Sequence, residues 1–319
     1  MRIKIPLKWL KPLDYLFILR PTLFFPVWII TLAGYAAYDF AENGVAWWRM
    51  QFDWRILLNF TIITLVAGAA FIFNQLQDVD TDRDNRKLFL ISDQHVPAGW
   101  AKKIALSMIG LGLLVFLFQG IWLFGVLTLF TLLWGYLYNF QPFAWKDRPI
   151  LGILTNIFGG VLLFSIGWMM NGPICGQTLR LMIPYVLAWG SVALLTTIPD
   201  RTGDQKHAKK TFAVAYGDQL TIWMAFAWVV IGFLVGMKFS DPVITHSILL
   251  SSPLYIIMLF RPNPVWVLRT IRYGLLFIAL FLCAEFPLFF IAILLNFYLA
   301  RVYYINRFGL DYPTFHVEE

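Results

Sequence analysis

Apolar runs of close to twenty residues alternate with short polar stretches from one end of the chain to the other. At 1.5 Å per residue, a helical run of that length crosses the ~30 Å hydrocarbon core of a bilayer. The pattern predicts spans at about 15–38, 56–74, 102–119, 121–140, 150–170, 180–198, 219–238, 244–260, 265–284 and 286–305. The last two are parted only by Ala284-Glu285-Phe286-Pro287, which reads as a tight hairpin or as one long broken element. No linker, low-complexity tract or soluble domain interrupts the series, so residues 1–319 read as a single transmembrane domain. The expected fold class is all-α: a polytopic membrane bundle of nine to ten helices.

Composition agrees. Hydrophobic residues make up 60% of the chain and charged residues 13%, about half the charge of an average soluble domain. The net charge of +7 does not indicate a nucleic-acid partner, because cytoplasmic loops of membrane proteins collect Lys and Arg. With the N-terminus inside, only Arg49, Arg55, Arg180 and Lys238 of the 25 Lys and Arg fall in outside segments. That asymmetry sets the orientation and favours an even number of spans. The basic start, MRIKIPLKWLKPLD, lacks an apolar h-region and a cleavage site, and reads as a juxtamembrane segment. Cys175 and Cys283 have no paired spacing and read as small buried hydrophobes. No Cys/His cluster suggests zinc, haem or an iron–sulfur centre.

The longest polar stretches, 75–101 and 199–218, both fall on the cytoplasmic side, where a scaffold this poor in charge would keep its chemistry. The first opens Asn74-Gln75-Leu76-Gln77-Asp78-Val79-Asp80-Thr81-Asp82-Arg83-Asp84. Each four-residue helical step turns about 400°, so Asn74, Asp78 and Asp82 would share one face if the helix continues. Four carboxylates within seven residues need countercharge, either from Arg83, Arg86 and Lys87 at a solvated helix end or from a bound cation. The second stretch contains Asp200 and Asp204, again four apart. One such pair is a weak signal; two, each at a cytoplasmic helix end, are a stronger one.

Carboxylates cannot bind a diphosphate directly. Mg²⁺ bridges the two, taking one or two carboxylates and filling its octahedron with phosphate oxygens and water, and it stabilises the departing diphosphate. Lys146, Arg148, Lys206, Lys209 and Lys210, on the same side, are candidates for the remaining phosphate oxygens or ordinary loop cations. Arg20, about one and a half turns into the first predicted span, either snorkels to the interface or meets a phosphate or carboxylate. Tyr138, in the loop Tyr138–Arg148, belongs to an interfacial aromatic belt or turns its ring toward a carbocation.

These residues resemble the UbiA superfamily of intramembrane prenyltransferases. Its NxxxDxxxD motif is matched by Asn74, Asp78 and Asp82, and its DxxxD motif by Asp200 and Asp204. The longer form of the second motif, similar to that of homogentisate and related quinone prenyltransferases, is matched by Pro199, Asp200, Gly203, Asp204, Thr211 and Gly217. The family's Tyr…Pro…Lys loop resembles Tyr138, Pro142 and Lys146, and its Arg-Pro resembles Arg20-Pro21. The likeness runs from residue 15 to about 240.

The resemblance implies a bundle, usually of nine spans, around a central cavity open laterally to lipid. In it two Mg²⁺ ions hold a prenyl diphosphate, and an allylic cation attacks an electron-rich acceptor. It implies Asn74, Asp78, Asp82, Asp200 and Asp204 as metal ligands, the four aspartates and Tyr138 as catalytic residues, and Asn74, Lys146 and Arg20 as substrate contacts, beside which the loop cations Arg148, Lys206 and Lys210 stand as substrate-binding candidates from their charge and place. The implied partners are an isoprenyl diphosphate and a lipophilic acceptor, first of all an aromatic quinone precursor, alternatively a chlorin or a lipid glycerol phosphate. A bacterial or archaeal plasma membrane is the expected location. Two positions depart from the pattern: Gln75 follows Asn74 where many members have Asp, and Thr197 stands where members with the longer motif commonly have Asp.

Other readings fit less well. A transporter would carry its charges near the midplane on broken helices. A CDP-alcohol phosphotransferase needs an Asp-Gly step, and the chain contains none. A degenerate, lipid-binding family member would not be expected to keep all four aspartates.

Overall fold

The structure, a computed structural model, describes residues 6–44, 53–84 and 89–314. Most of these are helical, with no strand among them. The main helices are α1 (Pro21–Asn43), α2 (Trp54–Gln77), α3 (Ala98–Gln119), α4 (Ile121–Phe130), α5 (Pro149–Met169), α6 (Gly176–Lys206), α7 (Asp218–Lys238), α8 (Pro242–Phe260), α9 (Pro264–Glu285) and α10 (Pro287–Phe308). Among the described residues, nine are long and apolar enough to cross a membrane: all but α4.

The predicted fourth span, 121–140, forms as a shorter, irregular helix rather than a full-length one. Its α-helix stops after ten residues and passes into a π-helix over Thr131–Leu137. Together these span Ile121–Leu137, roughly 25 Å of axis, short of the ~30 Å apolar thickness. The break at Phe286 is real, since Pro287 cannot continue the ladder of α9 and instead starts α10. The first span begins at Pro21, not near residue 15; the chain before it is a set of short helical turns from Leu7 to Phe17.

Two compact units divide the chain. The first comprises Met1–Val27, Phe52–Phe140 and Phe290–His316. In it α2 packs along α3 and against the π-helix, and α3 packs on α4. The second comprises Trp28–Gln51, Gln141–Phe289 and Val317–Glu319. Its centre is α6, which packs along α7, α5 and α9, while α8 bridges α7 and α9.

Within the second unit α1 and α5 cross at backbone distance. A Cβ on Gly34 would sit 2.0 Å from the carbonyl oxygen of Phe164, and one on Gly167 would sit 1.9 Å from that of Thr31. Small residues permit such an approach, and in a membrane that packing is what holds helices together. Large apolar side chains such as Phe118, Trp122 and Phe260 stay exposed, as they do on a surface solvated by lipid.

Candidate functional site

The first acidic stretch lies in the first unit. Helix α2 ends at Gln77, and Asp78 leaves helical geometry at φ −104°, ψ 17°. The hydrogen-bond ladder nevertheless runs on: Asp78 N–H donates to the Asn74 carbonyl (3.0 Å) and Asp82 N–H to the Asp78 carbonyl (2.7 Å). A short helix, Val79–Asp84, follows. The four-residue register of Asn74, Asp78 and Asp82 thus survives the break.

An amide network fixes the start of this ladder. Asn74 Nδ2 donates to Asp78 Oδ2 (3.0 Å) and to Asn139 Oδ1 (3.1 Å). Asn139 Nδ2 in turn donates to the carbonyls of Trp134 (2.8 Å) and Gly135 (3.2 Å). Off this face, Asp80 pairs with Arg83 at 3.4 Å, and Arg83 also reaches the Ser92 carbonyl. Of the proposed countercharges, Arg83 thus serves Asp80. Arg86, Lys87 and the side chain of Asp84 lie outside the described residues.

Gln75, the departure beside Asn74, is buried, with its Nε2 shared between the Ile18 carbonyl (2.7 Å) and the Phe71 carbonyl (3.1 Å). It ties the segment before α1 to α2. That segment ends at Arg20, which adopts φ 56°, ψ 63°, immediately before Pro21 opens the helix. A left-handed conformation costs an L-residue roughly 1–2 kcal/mol, so neighbouring contacts must hold it. Asn296 donates to the Pro21 carbonyl (2.8 Å), and Thr22 and Tyr312 share a hydroxyl hydrogen bond (2.8 Å). Upstream, buried Asp14 accepts from Tyr303 (2.7 Å) and from both arms of Arg307 (3.0 and 2.9 Å). Arg20 is thus at the junction before the first span, not inside it. Its half-buried guanidinium takes no hydrogen-bond or ion-pair partner among the described residues.

The second acidic stretch lies in the second unit. Helix α6 continues through Pro199 to Lys206, so Asp200 and Asp204 sit one turn apart in its last two turns. The next loop folds back over Asp204: Lys209 N–H donates to its carbonyl (3.0 Å) and the Thr211 hydroxyl to its Oδ2 (3.0 Å). Lys210 N–H donates to the Asp147 carbonyl (3.1 Å), which ties this loop to Trp145–Asp147 at the start of α5. Asp200, Asp147 and Lys209 all act electrostatically on Asp204. Thr197, the other departure, turns its hydroxyl back onto the Leu194 carbonyl (2.7 Å) and adds no carboxylate.

The remaining candidates divide between the units. Tyr138 closes the π-helix of the first, its N–H donating to the Leu133 carbonyl (2.9 Å). In the second, Lys146 is half-buried, Arg148 is exposed with one guanidinium nitrogen on the Pro142 carbonyl (3.1 Å), and Lys206 and Lys210 are exposed. Two residues escaped sequence reasoning. Asn139 and Asp147 both lie in the loop already singled out, next to chosen residues, but the contacts that matter are tertiary and have no periodic signal.

The donor set suits a hard divalent ion. Among the described residues no three His, Cys, Asp or Glu side chains form a ready metal cage. Each stretch instead offers two carboxylates in register, and the first adds the Asn74 amide. Mg²⁺ uses one or two carboxylates and leaves its other positions to phosphate and water, so these residues fit it as a partner brought with a diphosphate.

Comparison with known proteins bears on the family and the fold. The model of the UbiA prenyltransferase family matches residues 27–273. A digeranylgeranylglyceryl phosphate synthase of Methanospirillum hungatei is 26% identical over 234 residues, covering 70% of this chain and 75% of that protein. A second protein of that name, from Saccharolobus solfataricus, is 25% identical over 51% of this chain and 57% of its own length. The fold resembles that of a UbiA homologue from Archaeoglobus fulgidus bound to GPP and Mg²⁺, with a TM-score of 0.65 at 18% identity, covering 86% of this chain and 98% of that one. It also resembles a structure of digeranylgeranylglyceryl phosphate synthase in membranes, with a TM-score of 0.63 at 18% identity, covering 86% and 97%.

Proposed function

The chain belongs to the UbiA prenyltransferase family, is an integral membrane prenyltransferase that uses an isoprenyl diphosphate, and on that premise we propose that it moves the prenyl group, with Mg²⁺, onto the glycerol phosphate moiety of a lipid. The observation that carries the Mg²⁺–diphosphate part is the pair of acidic ladders, Asn74–Asp78–Asp82 and Asp200–Asp204, each in register at a helix end. The acceptor class rests on the two curated relatives, both named for a product with two geranylgeranyl chains on glyceryl phosphate. An aromatic quinone precursor is the second reading, supported by the longer Pro199–Gly217 pattern.

In this reading Asn74, Asp78, Asp82, Asp200 and Asp204 would hold Mg²⁺, whose charge would supply neutralisation of the departing diphosphate. Arg20, Lys146, Arg148, Lys206 and Lys210 bind phosphate oxygens. Tyr138 presents its ring to the allylic cation. Apolar helix faces receive the prenyl tail and keep water from the cation. In this reading the acidic ladders face the cytoplasm, the side that the excess of Lys and Arg in the adjoining loops favours.

The test is a transfer assay on purified protein with Mg²⁺, prenyl diphosphates from geranyl upward, and two acceptor panels: prenylated glycerol phosphates and aromatic quinone precursors. Mass spectrometry should find the ether-linked glycerol phosphate product. Product from the aromatic panel alone would transfer the assignment to the second reading, and no product from either would defeat both.

A further inference from the structure

The amide network around Asn74 determines more than local stability. The side-chain nitrogen and oxygen of an asparagine can exchange places, so its neighbours must decide which faces where. For Asn139 two neighbours are backbone carbonyls, those of Trp134 and Gly135 at 2.8 and 3.2 Å. Carbonyl oxygens only accept, so the atom facing them is Nδ2 and the other is Oδ1. These carbonyls lie at the end of the π-helix, where the backbone turns away: the N–H groups of Asn139 and Phe140 both go to Tyr136. The side chain of Asn139, only 2% exposed, therefore serves carbonyls left open at a helix end.

With Asn139 Oδ1 so placed, the atom of Asn74 that meets it at 3.1 Å must be a donor, Nδ2. The same nitrogen donates to Asp78 Oδ2 at 3.0 Å, so both its hydrogens are used. Asn74 Oδ1 takes part in neither of these bonds.

We propose that Asn139 is a positioning residue that sets the amide of Asn74, so that Asn74 offers oxygen rather than nitrogen to Mg²⁺ and steadies Asp78 as the next ligand. Mg²⁺ takes oxygen donors, and an amide turned the other way would present N–H hydrogens to it. The inference rests on the function proposed above, in which Asn74 and Asp78 serve the metal. Outer residues of this kind typically hold about 10- to 100-fold of metal affinity.

The experiment is calorimetric binding of geranyl diphosphate to purified protein across a Mg²⁺ series, with thermal unfolding measured alongside. Asn139→Ala should raise the half-saturating Mg²⁺ about tenfold or more, as should Asn74→Ala, and the double variant should be no worse than either. In an Asn74→Asp background, Asn139→Ala should change the Mg²⁺ requirement little, because a carboxylate offers oxygen either way round. Asn139→Asp separates positioning from stability: it still accepts from Asn74 but gives the two carbonyls no donor. It should melt lower at an unchanged Mg²⁺ requirement, and it remains informative if Asn139→Ala does not fold. A Mg²⁺ requirement that follows melting temperature across the Asn139 variants would overturn the inference, leaving Asn139 a helix terminator. If Asn74→Ala shifts the requirement and Asn139→Ala does not, the positioning role alone fails. If wild type binds without Mg²⁺, or Asn74→Ala binds like wild type, the proposed function of Asn74 fails first, and the inference with it.

Discussion

Gly167→Ala should be among the most disruptive single-methyl additions in this chain. The new Cβ would meet the Thr31 carbonyl oxygen at 1.9 Å, where ordinary contact starts at 3.4 Å. The obstacle is backbone, and no rotamer change removes it. Helices α1 and α5 must separate by about 1.5 Å, and the packing lost along the crossing is what holds membrane helices together. Overpacking of this kind costs about 3 kcal/mol, or roughly 4–5 °C of melting temperature for a chain of 319 residues. Gly34→Ala meets the Phe164 oxygen at 2.0 Å across the same crossing. One separation relieves both clashes, so the double variant should cost less than the sum of the singles. Gly110→Ala is the control, because its Cβ would enter open space in α3; it should be neutral or slightly stabilising. Thermal unfolding in detergent measures all four. A Gly167→Ala melting point equal to that of Gly110→Ala would refute the close crossing, as would fully additive losses at Gly34 and Gly167.

Three other perturbations reach the proposed site and its supports. Asp78→Ala or Asp204→Ala should reduce prenyl transfer below detection in a protein that still melts cooperatively, and EDTA should do the same to wild type until Mg²⁺ is restored; wild-type turnover by either variant would remove that residue's role. Arg307→Ala strands the Asp14 carboxylate, which is 3% exposed at its side chain, and breaking a buried pair in this way costs about 3–5 kcal/mol. Melting should fall accordingly, whereas Asp14→Asn/Arg307→Met should recover part of the loss. Asp241, in the turn between α7 and α8, has its carboxyl pushed up from 3.8 to about 6 by burial, against the opposing hydrogen bonds from Tyr185, Ile244 and Val243. A raised carboxyl favours the fold below its ordinary range, and that advantage is lost as pH climbs through about 6, amounting to about 3 kcal/mol. Asp241→Asn keeps an acceptor for the cap, so its melting temperature should fall less than wild type's between pH 4 and 7; parallel curves would show that Asp241 does not titrate there.

The membrane fold was legible because bilayer thickness imposes a length on every apolar run, and nine of the ten predicted runs became helices of that length. The exception, 121–140, is apolar throughout. Nothing in hydropathy marks the change to a π-helix at Thr131, which shows in the backbone pairing, as in the bond from Tyr138 N–H five residues back to Leu133. The first span was misplaced because Tyr15–Leu19 is as apolar as the helix after it. The left-handed turn at Arg20 is set by contacts with residues nearly three hundred positions away, among them Asn296 and Tyr312. The acidic ladders were readable from four-residue spacing alone, and the ladder outlasts the helix break at Asp78 because the backbone bonds keep that spacing. Asn139 and Asp147 were not readable, since each reaches its acidic stretch from a different segment of chain.

The two departures from the family pattern have local physical reasons that leave the ligands alone. Gln75 is 1% exposed and gives its amide hydrogens to two backbone carbonyls, those of Ile18 and Phe71. An ionised aspartate could donate to neither, and would bury its charge unpaired among acceptors. Where the segment before α1 rests on α2 through such carbonyls, an amide is the side chain the site requires, and Arg20 lies two residues beyond the tie. Thr197 likewise spends its hydroxyl on its own helix, at the Leu194 carbonyl. The acidic surroundings of Asp204 come instead from Asp200 in the helix and from Asp147, carried in by the loop that Lys210 fastens. Both substitutions therefore change how the acidic stretches are supported, while the four aspartates keep their spacing and the oxygen donors that a Mg²⁺–diphosphate needs.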